Sequence, residues 1–194
     1  VDAIMVNSGP ARRESQNYPC DFPNDLTLSC RGDGGEASML SDYRAMHEAI
    51  AATGRPMLLS VGGLPPVRNC SEEGVVNTRR VGEDISDNWY SMVSLVDMAS
   101  GLHPYAHNNA SSGAEFWNDL DQLFVGAGPF NAVNASHPPG ALDAARAHMT
   151  MWCLLKSPIL IGSNLSAASP AILSVLSNAA ALSISRDPLG VQGR

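Results

Sequence analysis

Short apolar runs alternate with helical patterns along most of this 194-residue chain, and this alternation limits the folds it can adopt. Residues 1–7 form a nearly continuous apolar run, and a second run over 56–61 ends at a pair of glycines. Between them, Met46, Ala49, Ile50 and Thr53 recur at helical spacing before Gly54. Nearly continuous apolar strands are typical of parallel sheets that are covered on both faces. The pattern predicts an α/β fold with about four or five strand–helix units.

The remaining elements follow from the same periodicities. We expect a short strand before Gly82, and further strands over 116–125, 158–165 and 179–185. We expect helices over 41–54, from about 87, over 140–156 and over 169–178. Residues 8–38 are predicted to be a long irregular insertion, and 101–115 a loop.

Composition and charge exclude two classes of partner. The formal net charge is −7 with only 12 Lys and Arg, whereas a nucleic-acid surface needs a basic stripe. No apolar run approaches the ~20 residues of a membrane span. The sequence begins at Val1 with neither an initiator Met nor a signal peptide, so we expect an internal piece of a longer precursor.

Cysteines and glycosylation sequons indicate an oxidising compartment. Cys20 and Cys30 lie in the irregular insertion, and a local disulfide between them is the pairing we predict. Asn-x-Ser sequons, which predict N-glycosylation, occur at Asn69, Asn109, Asn134 and Asn164. We therefore expect an extracellular protein or one in the lumen of the secretory pathway.

We predict neither a metal nor a cofactor. His103 and His107 have a spacing that suits a metal, but no further ligand accompanies them, which favours a solvated loop.

The segment from Asn77 to Trp89 contains the strongest candidates for chemistry. A short strand ends near Arg80, a turn follows at Gly82, and Asp84 comes four residues after the arginine. A cation and a carboxylate at a strand end suit a group that exchanges protons. The alternative is an ordinary strand-to-helix loop with a capping aspartate.

Four motifs in order resemble the alpha-galactosidases of glycoside hydrolase family 27. Residues 80–89, Arg-Val-Gly-Glu-Asp-Ile-Ser-Asp-Asn-Trp, resemble the family's Arg-x-x-(Gly/Ala)-Asp-Ile-x-Asp-x-Trp. Residues 117–121, Trp-Asn-Asp-Leu-Asp, resemble its Trp-Asn-Asp-Pro-Asp-Met, and Ser157-Pro158 resembles its (Ser/Ala)-Pro-Leu strand. Residues 186–193, Arg-Asp-Pro-Leu-Gly-Val-Gln-Gly, resemble its Gln-Asp-Pro-Leu-Gly-x-Gln-Gly.

The resemblance implies that the chain supplies about strands four to eight of a (β/α)8 barrel. Such barrels take ~250 residues, so the first three strands and the family's C-terminal β domain are absent from the sequence. We expect the missing strands from the rest of a precursor or from another chain, because open strand edges aggregate. Asp2–Asn7 should then pair on one side with 56–61. A small doubly wound sheet is the structural alternative.

The resemblance also assigns catalytic positions. Retaining glycosidases place a nucleophilic carboxylate and an acid/base carboxylate about 5 Å apart. The family pattern Val-Asp-x-Leu-Lys-Tyr-Asp, laid on residues 1–7, puts Asn7 at the nucleophile and Met5 at a substrate-binding lysine. Asp84 matches the acid/base, while Arg80, Asp121 and Trp117 match residues that contact the substrate.

Several of these positions depart from the family. Gly62 and Gly63 stand where the family has a sugar-contacting Glu and a Trp, and Leu120 and Gln122 replace its Pro and Met. We therefore expect a catalytically inactive domain that serves as a structural or carbohydrate-binding module in an extracellular glycoprotein assembly. The alternative is an active retaining exo-glycosidase for terminal alpha-galactosides or related sugars, with Asp84 as the acid/base.

Overall fold

Five strands form one sheet in a computed structural model that describes residues 2–7, 35–62, 74–103, 106–109, 114–128 and 140–193. The strands are β1 Asp2–Asn7, β2 Met57–Gly62, β3 Thr78–Arg80, β4 His107–Asn109 and β5 Ala114–Asp119. The helices are α1 Gly35–Ala52, α2 Trp89–Gly101, α3 Ala141–Leu154, α4 Pro170–Leu176 and α5 Ala179–Ser185, with a 3-10 turn at Leu165–Ala167.

The sheet has the order β1-β2-β3-β5-β4, and the first four strands in this order run parallel. β1 pairs with β2 from Asp2 opposite Met57 to Asn7 opposite Gly62. This confirms the predicted pairing of the first strand with 56–61. The short strand β4 is antiparallel to β5 and lies within the stretch that the sequence predicted to be a loop.

Parallel strands end at one edge of the sheet, which we call the C-terminal edge. It is formed by the last residues of the four parallel strands, Asn7, Gly62, Arg80 and Asp119. The loops that leave this edge carry Asp84 and Asp121, so the sheet gathers the candidate residues on one side.

The larger hydrophobic core packs α2, α3 and α4 against the segment that follows β5. Trp152, Leu120 and Leu123 are fully buried in it, as are Ala145 and Met149 of α3. On α2 the buried residues are Met92, Leu95 and Ala99, whereas Trp89 at the start of the helix is half exposed.

A smaller core lies between α1 and the start of the sheet. Tyr43 and Ile50 of α1 are buried there with Leu59, Val61 and Phe116. Of the helix face predicted from periodicity, Ile50 is buried and Met46 partly buried, while Ala49 and Thr53 are exposed.

Residues 179–185 form a helix, so the strand predicted there is wrong. Asn178 caps its start, since the Asn178 side chain accepts the Ala181 N–H at 3.0 Å. Lys156 closes its end by donating from Nζ to the Ile184 carbonyl at 2.6 Å. Alanine-rich sequence with a cap at each end favours a helix over a strand.

The strand predicted over 158–165 is reduced to a single parallel bridge between Leu123 and Ile161. The backbone bonds from Leu123 N–H to Leu160 O, at 2.7 Å, and from Gly162 N–H to Leu123 O, at 2.9 Å, make this bridge. Within the described residues, no helix is long and apolar enough to cross a membrane.

Candidate functional site at the C-terminal edge

Arg80 is the centre of the candidate site. Its Nη2 lies 2.8 Å from Asp121 Oδ2 and 3.2 Å from Asp84 Oδ1, and donates to the Glu83 carbonyl at 2.9 Å. The Arg80 side chain is only 13% exposed, and its 2.8 Å bond to Asp121 has the length of a strong, charge-assisted hydrogen bond. The structure therefore brings together Arg80, Asp84 and Asp121, three of the residues that the sequence singled out.

The two carboxylates around Arg80 differ sharply in exposure. The Asp84 side chain is 95% exposed, whereas that of Asp121 is 17% exposed. Asp84 Oδ1 and Asp121 Oδ2 both contact Nη2 of Arg80. The distance between these two oxygens therefore cannot exceed the sum of their distances to Nη2. The guanidinium group lies against both of them.

Asp121 is held by hydrogen bonds on every polar group. Its Oδ2 also accepts the Ile85 N–H at 2.9 Å, and its Oδ1 accepts the Gln122 N–H at 2.7 Å. Its backbone adopts the left-handed region with φ of 76°, which is rare outside glycine but tolerated by Asp and Asn. No local sequence pattern predicts this conformation.

Asp119, which follows Asn118 in the Trp-Asn-Asp motif, is a buried carboxylate that sequence reasoning did not single out. Its Oδ1 accepts the Asp121 N–H at 2.8 Å. Burial raises the pKa of Asp119, and the Asp121 N–H and the Arg80 charge partly counter that rise. Its place in the Trp-Asn-Asp-Leu-Asp motif is the sequence feature that could have identified it. Its contact with Asp121 indicates a role in shaping the loop after β5.

Asn118 of the same motif is also fully buried. Its Nδ2 donates to the Leu102 carbonyl at 3.0 Å and to Gln192 Oε1 at 2.9 Å. Gln192 in turn donates to the Ala99 carbonyl at 2.8 Å. Gln192, from the motif at residues 186–193, thus links β5 to the end of α2. These contacts stabilise the fold.

Asn7 ends β1 and lies opposite Gly62 at the end of β2. β2 pairs in turn with β3, where Val61 is opposite Arg79. Two strand spacings of ~4.8 Å therefore separate the chain at Asn7 from the chain near Arg80, about 10 Å. The predicted position of a nucleophile at Asn7 stays a prediction.

Trp117 lies within β5, opposite Thr78, and its N–H donates to the Asn77 carbonyl at 2.9 Å. It is partly buried and precedes the C-terminal edge by two residues. Its predicted contact with substrate stays a prediction.

The predicted covalent modifications fall mostly outside the described residues. Cys20, Cys30, Asn69 and Asn134 all lie there, as does most of the 8–38 insertion. Asn109 ends β4, and Asn164 is exposed at the start of the 3-10 turn, where its Oδ1 accepts the Ser166 N–H at 3.1 Å. Cys153 is a buried free thiol, and burial raises its pKa. Within the described part of the chain, no cluster of His, Cys, Asp and Glu could hold a metal ion.

A family model described as "Alpha galactosidase A" matches residues 28–187, which is most of the chain. The chain belongs to this family of glycoside hydrolases, family 27. It is 35% identical over 163 residues to the alpha-N-acetylgalactosaminidase of Mus musculus, covering 78% of this chain and 35% of the relative. It is 34% identical over 155 residues to alpha-galactosidase 3 of Arabidopsis thaliana, covering 78% and 31%.

The alpha-galactosidase of Saccharomyces cerevisiae has the same fold. Its structure superimposes with a TM-score of 0.68 at 22% identity, over 99% of this chain and 40% of the yeast chain. The parallel strands and their helices are therefore part of the (β/α)8 barrel of family 27, and the doubly wound alternative is wrong. The chain spans about a third of the length of the curated relatives it matches.

Proposed function

We propose that this family 27 chain is a non-catalytic module that binds carbohydrate at the C-terminal edge. The observation that carries the proposal is the contrast between Asn7, at the nucleophile position, and the intact cluster of Arg80, Asp84 and Asp121. One side of a glycosidase site keeps its polar framework, while the other has lost its charged groups.

The loss of catalysis follows from the chemistry of Asn7. A neutral amide oxygen is a poor nucleophile and does not stabilise the positive charge of an oxocarbenium-like transition state. Met5 stands in place of the family's substrate-binding lysine, and Gly62 in place of its sugar-contacting Glu, so two further groups that bind the sugar in the family are missing. Three losses at separate positions favour decay of the whole catalytic function.

Asp121 does not supply the missing nucleophile. Its carboxylate shares one guanidinium nitrogen with Asp84, so Arg80 occupies the region beside both carboxylates. A retaining mechanism needs the scissile bond between its two carboxylates. The geometry around Arg80 instead supports a binding role for Asp121.

Carbohydrate binding is supported by acceptors that the fold leaves unfilled. A carboxylate oxygen accepts about two hydrogen bonds. Among the described residues, Asp121 Oδ2 has two donors, whereas Oδ1 has one, from Gln122. Asp84 presents an almost fully exposed carboxylate beside it. Together they can accept vicinal hydroxyls of a sugar such as galactose or N-acetylgalactosamine, the sugars named in the family's relatives.

Calorimetry of the intact protein with galactose and N-acetylgalactosamine tests the binding proposal, with glucose as the control sugar. We expect one site that discriminates against glucose and is lost in Asp121→Ala. An absence of binding to either galacto-configured sugar would contradict the proposal and leave a purely structural module.

The exposed Asp84 also favours a second candidate, an active retaining exo-glycosidase with Asp84 as the acid/base. Such an enzyme would need another carboxylate or assistance from an N-acetyl group of the substrate. Turnover of nitrophenyl alpha-galactoside or alpha-N-acetylgalactosaminide that disappears in Asp84→Asn would establish it.

We further propose that the rest of the barrel comes from the same precursor or from another chain. Leu160, Ile161 and Leu165 are each more than two-fifths exposed along the segment that pairs with Leu123. Such a row of apolar side chains suits burial against further barrel strands. Residues 1–194 expressed alone should aggregate, and co-expression with the upstream half should rescue them. A soluble monomer with a cooperative thermal transition would contradict this.

We place the module in an extracellular or luminal glycoprotein assembly, with a Cys20–Cys30 disulfide and glycans on at least two of the four sequons. Intact mass under non-reducing conditions, before and after removal of N-glycans, tests both modifications. Free thiols and an unglycosylated mass would overturn this localisation.

A further inference from the structure

The backbone of Asp121 is fastened on both sides. Its N–H donates to Asp119 Oδ1 at 2.8 Å, and its carbonyl accepts the indole N–H of Trp152 at 2.7 Å. Between these two bonds the residue holds its left-handed φ of 76°. A left-handed side-chain-bearing residue persists only where its surroundings hold it there.

Trp152 is well suited to hold a neighbour in place. It belongs to α3, is fully buried in the larger core, and packs its ring edge-to-face with His148 at 4.1 Å between centroids. An indole confined in this way cannot follow a moving partner. Its N–H therefore holds the Asp121 carbonyl in one position.

We infer that Trp152 is a positioning residue for the carbohydrate site, acting through the Asp121 backbone. The backbone angles of Asp121 set the direction of its Cβ. That direction aims Oδ2 at Arg80 and the Ile85 N–H, and leaves an acceptor position on Oδ1. The effect of Trp152 on sugar binding rests on the proposed function, whereas its effect on the position of the Asp121 carboxylate does not.

Loss of the indole bond should release this arrangement. Asp121 would then relax towards negative φ, where residues with a Cβ are more stable. Its carboxylate would swing away from Arg80 and from the amides of Ile85 and Gln122. A bond between a core side chain and a backbone carbonyl would thereby control the polar framework of the site.

The sharpest test removes the N–H of Trp152 and keeps its shape. Trp152→(3-benzothienyl)alanine replaces the ring nitrogen by sulfur, so core packing is preserved. Amide hydrogen exchange then reports on the Ile85 and Gln122 N–H groups, which both donate to Asp121. The Asn77 N–H, which donates to the Leu59 carbonyl at 2.8 Å within the sheet, is the matched control.

We expect exchange at Ile85 and Gln122 to accelerate about tenfold, the upper range for loss of one hydrogen bond, while Asn77 is unchanged. Unchanged exchange at Ile85 and Gln122 would overturn the inference. Equal acceleration at all three amides would overturn it as well, because it would show a purely global effect on stability.

A sugar titration of the same variant separates this inference from the proposed function. We expect the affinity for galactose to fall about tenfold together with the faster exchange. If the unmodified protein binds no sugar while exchange responds as expected, the proposed function fails and the positioning role of Trp152 stands. Full affinity alongside faster exchange would overturn the link between Trp152 and the site.

Discussion

The two halves of the C-terminal edge differ in what their residues do for the fold. The retained half, Arg80, Asp84 and Asp121, is tied into the structure by bonds to the Ile85 and Gln122 amides and to the Glu83 carbonyl. The substituted half, Met5, Asn7, Gly62 and Gly63, consists of positions whose family role is contact with the sugar. A residue with structural bonds cannot be replaced without a cost in stability.

This difference accounts for a half site that keeps its polar framework in the non-catalytic module that we propose. Selection for folding alone preserves the Arg80–Asp121 pair, because either partner alone would be a nearly buried, uncompensated charge. Retained motifs therefore report the family of this chain more reliably than its activity.

Removing the arginine should give the largest effect. Arg80→Met leaves Asp121 without its cation, and we expect a loss of about 3 kcal/mol in the free energy of unfolding, because the pair is mostly buried. The control is Arg146→Met, which breaks an exposed pair with Asp143 at 2.9 Å and should cost about 0.5 kcal/mol or less. Urea unfolding of the intact protein measures both. If both variants lose the same small amount of unfolding free energy, the Arg80–Asp121 pair does not stabilise the fold.

His148 should make the core beside the retained half sensitive to acid. Burial lowers the pKa of His148 to about 4, so the unfolded chain takes up this proton first as the pH falls below 6.5. Stability attributable to neutral His148 is therefore full above pH 6.5, declines between pH 6.5 and 4, and is constant below. The total is about 3 kcal/mol at most.

The variant His148→Gln tests this window. Its free energy of unfolding should fall less steeply than that of the unmodified protein between pH 6.5 and 4. Parallel pH profiles for the two proteins would contradict the burial of a neutral histidine against Trp152.

Removing the Ser157 hydroxyl, which supports the loop next to Asp121, should lower the free energy of unfolding by less than the loss of Arg80. Leu120 stands where the family pattern has Pro, so it carries an N–H that proline lacks, and this buried N–H donates to Ser157 Oγ at 3.0 Å. Ser157→Ala would leave the donor unpaired and should cost about 1–2 kcal/mol. Ser177→Ala, which removes an exposed hydroxyl bond to Leu173, should cost about 0.5 kcal/mol or less. Similar losses in the two variants would contradict a stabilising bond between the buried Leu120 N–H and Ser157.

The smallest change is expected in the substituted half. Asn7→Asp restores the family's nucleophile at the end of β1 and should alter the free energy of unfolding by about 0.5 kcal/mol or less, because aspartate and asparagine have the same size and shape. Thermal unfolding measures it. A loss comparable with that of Arg80→Met would erase the distinction between the two halves.

Much of this architecture follows from the sequence, and the exceptions have physical causes. The pairing of Asp2–Asn7 with 56–61 was predictable, because the family resemblance makes the two segments successive strands of a (β/α)8 barrel. Residues 179–185 were mistaken for a strand because a short apolar run has no periodicity to separate the two, and the caps by Asn178 and Lys156 decide it.

The candidate site was predictable in its residues but not in its geometry. Arg80, Asp84 and Asp121 carry recognisable motifs, and the structure brings them together. The left-handed conformation of Asp121 and its bond to Trp152, 31 residues away, arise from tertiary packing and leave no local pattern.

Turnover by the intact protein is the most direct measurement of the central claim, that the retained half outlived catalysis. Nitrophenyl alpha-galactoside and alpha-N-acetylgalactosaminide are the substrates, with Asp84→Asn as the matched control. We predict that the unmodified protein releases nitrophenol no faster than Asp84→Asn, because Asn7 cannot act as a nucleophile. Turnover that falls to background in Asp84→Asn would contradict the account and identify an active glycosidase.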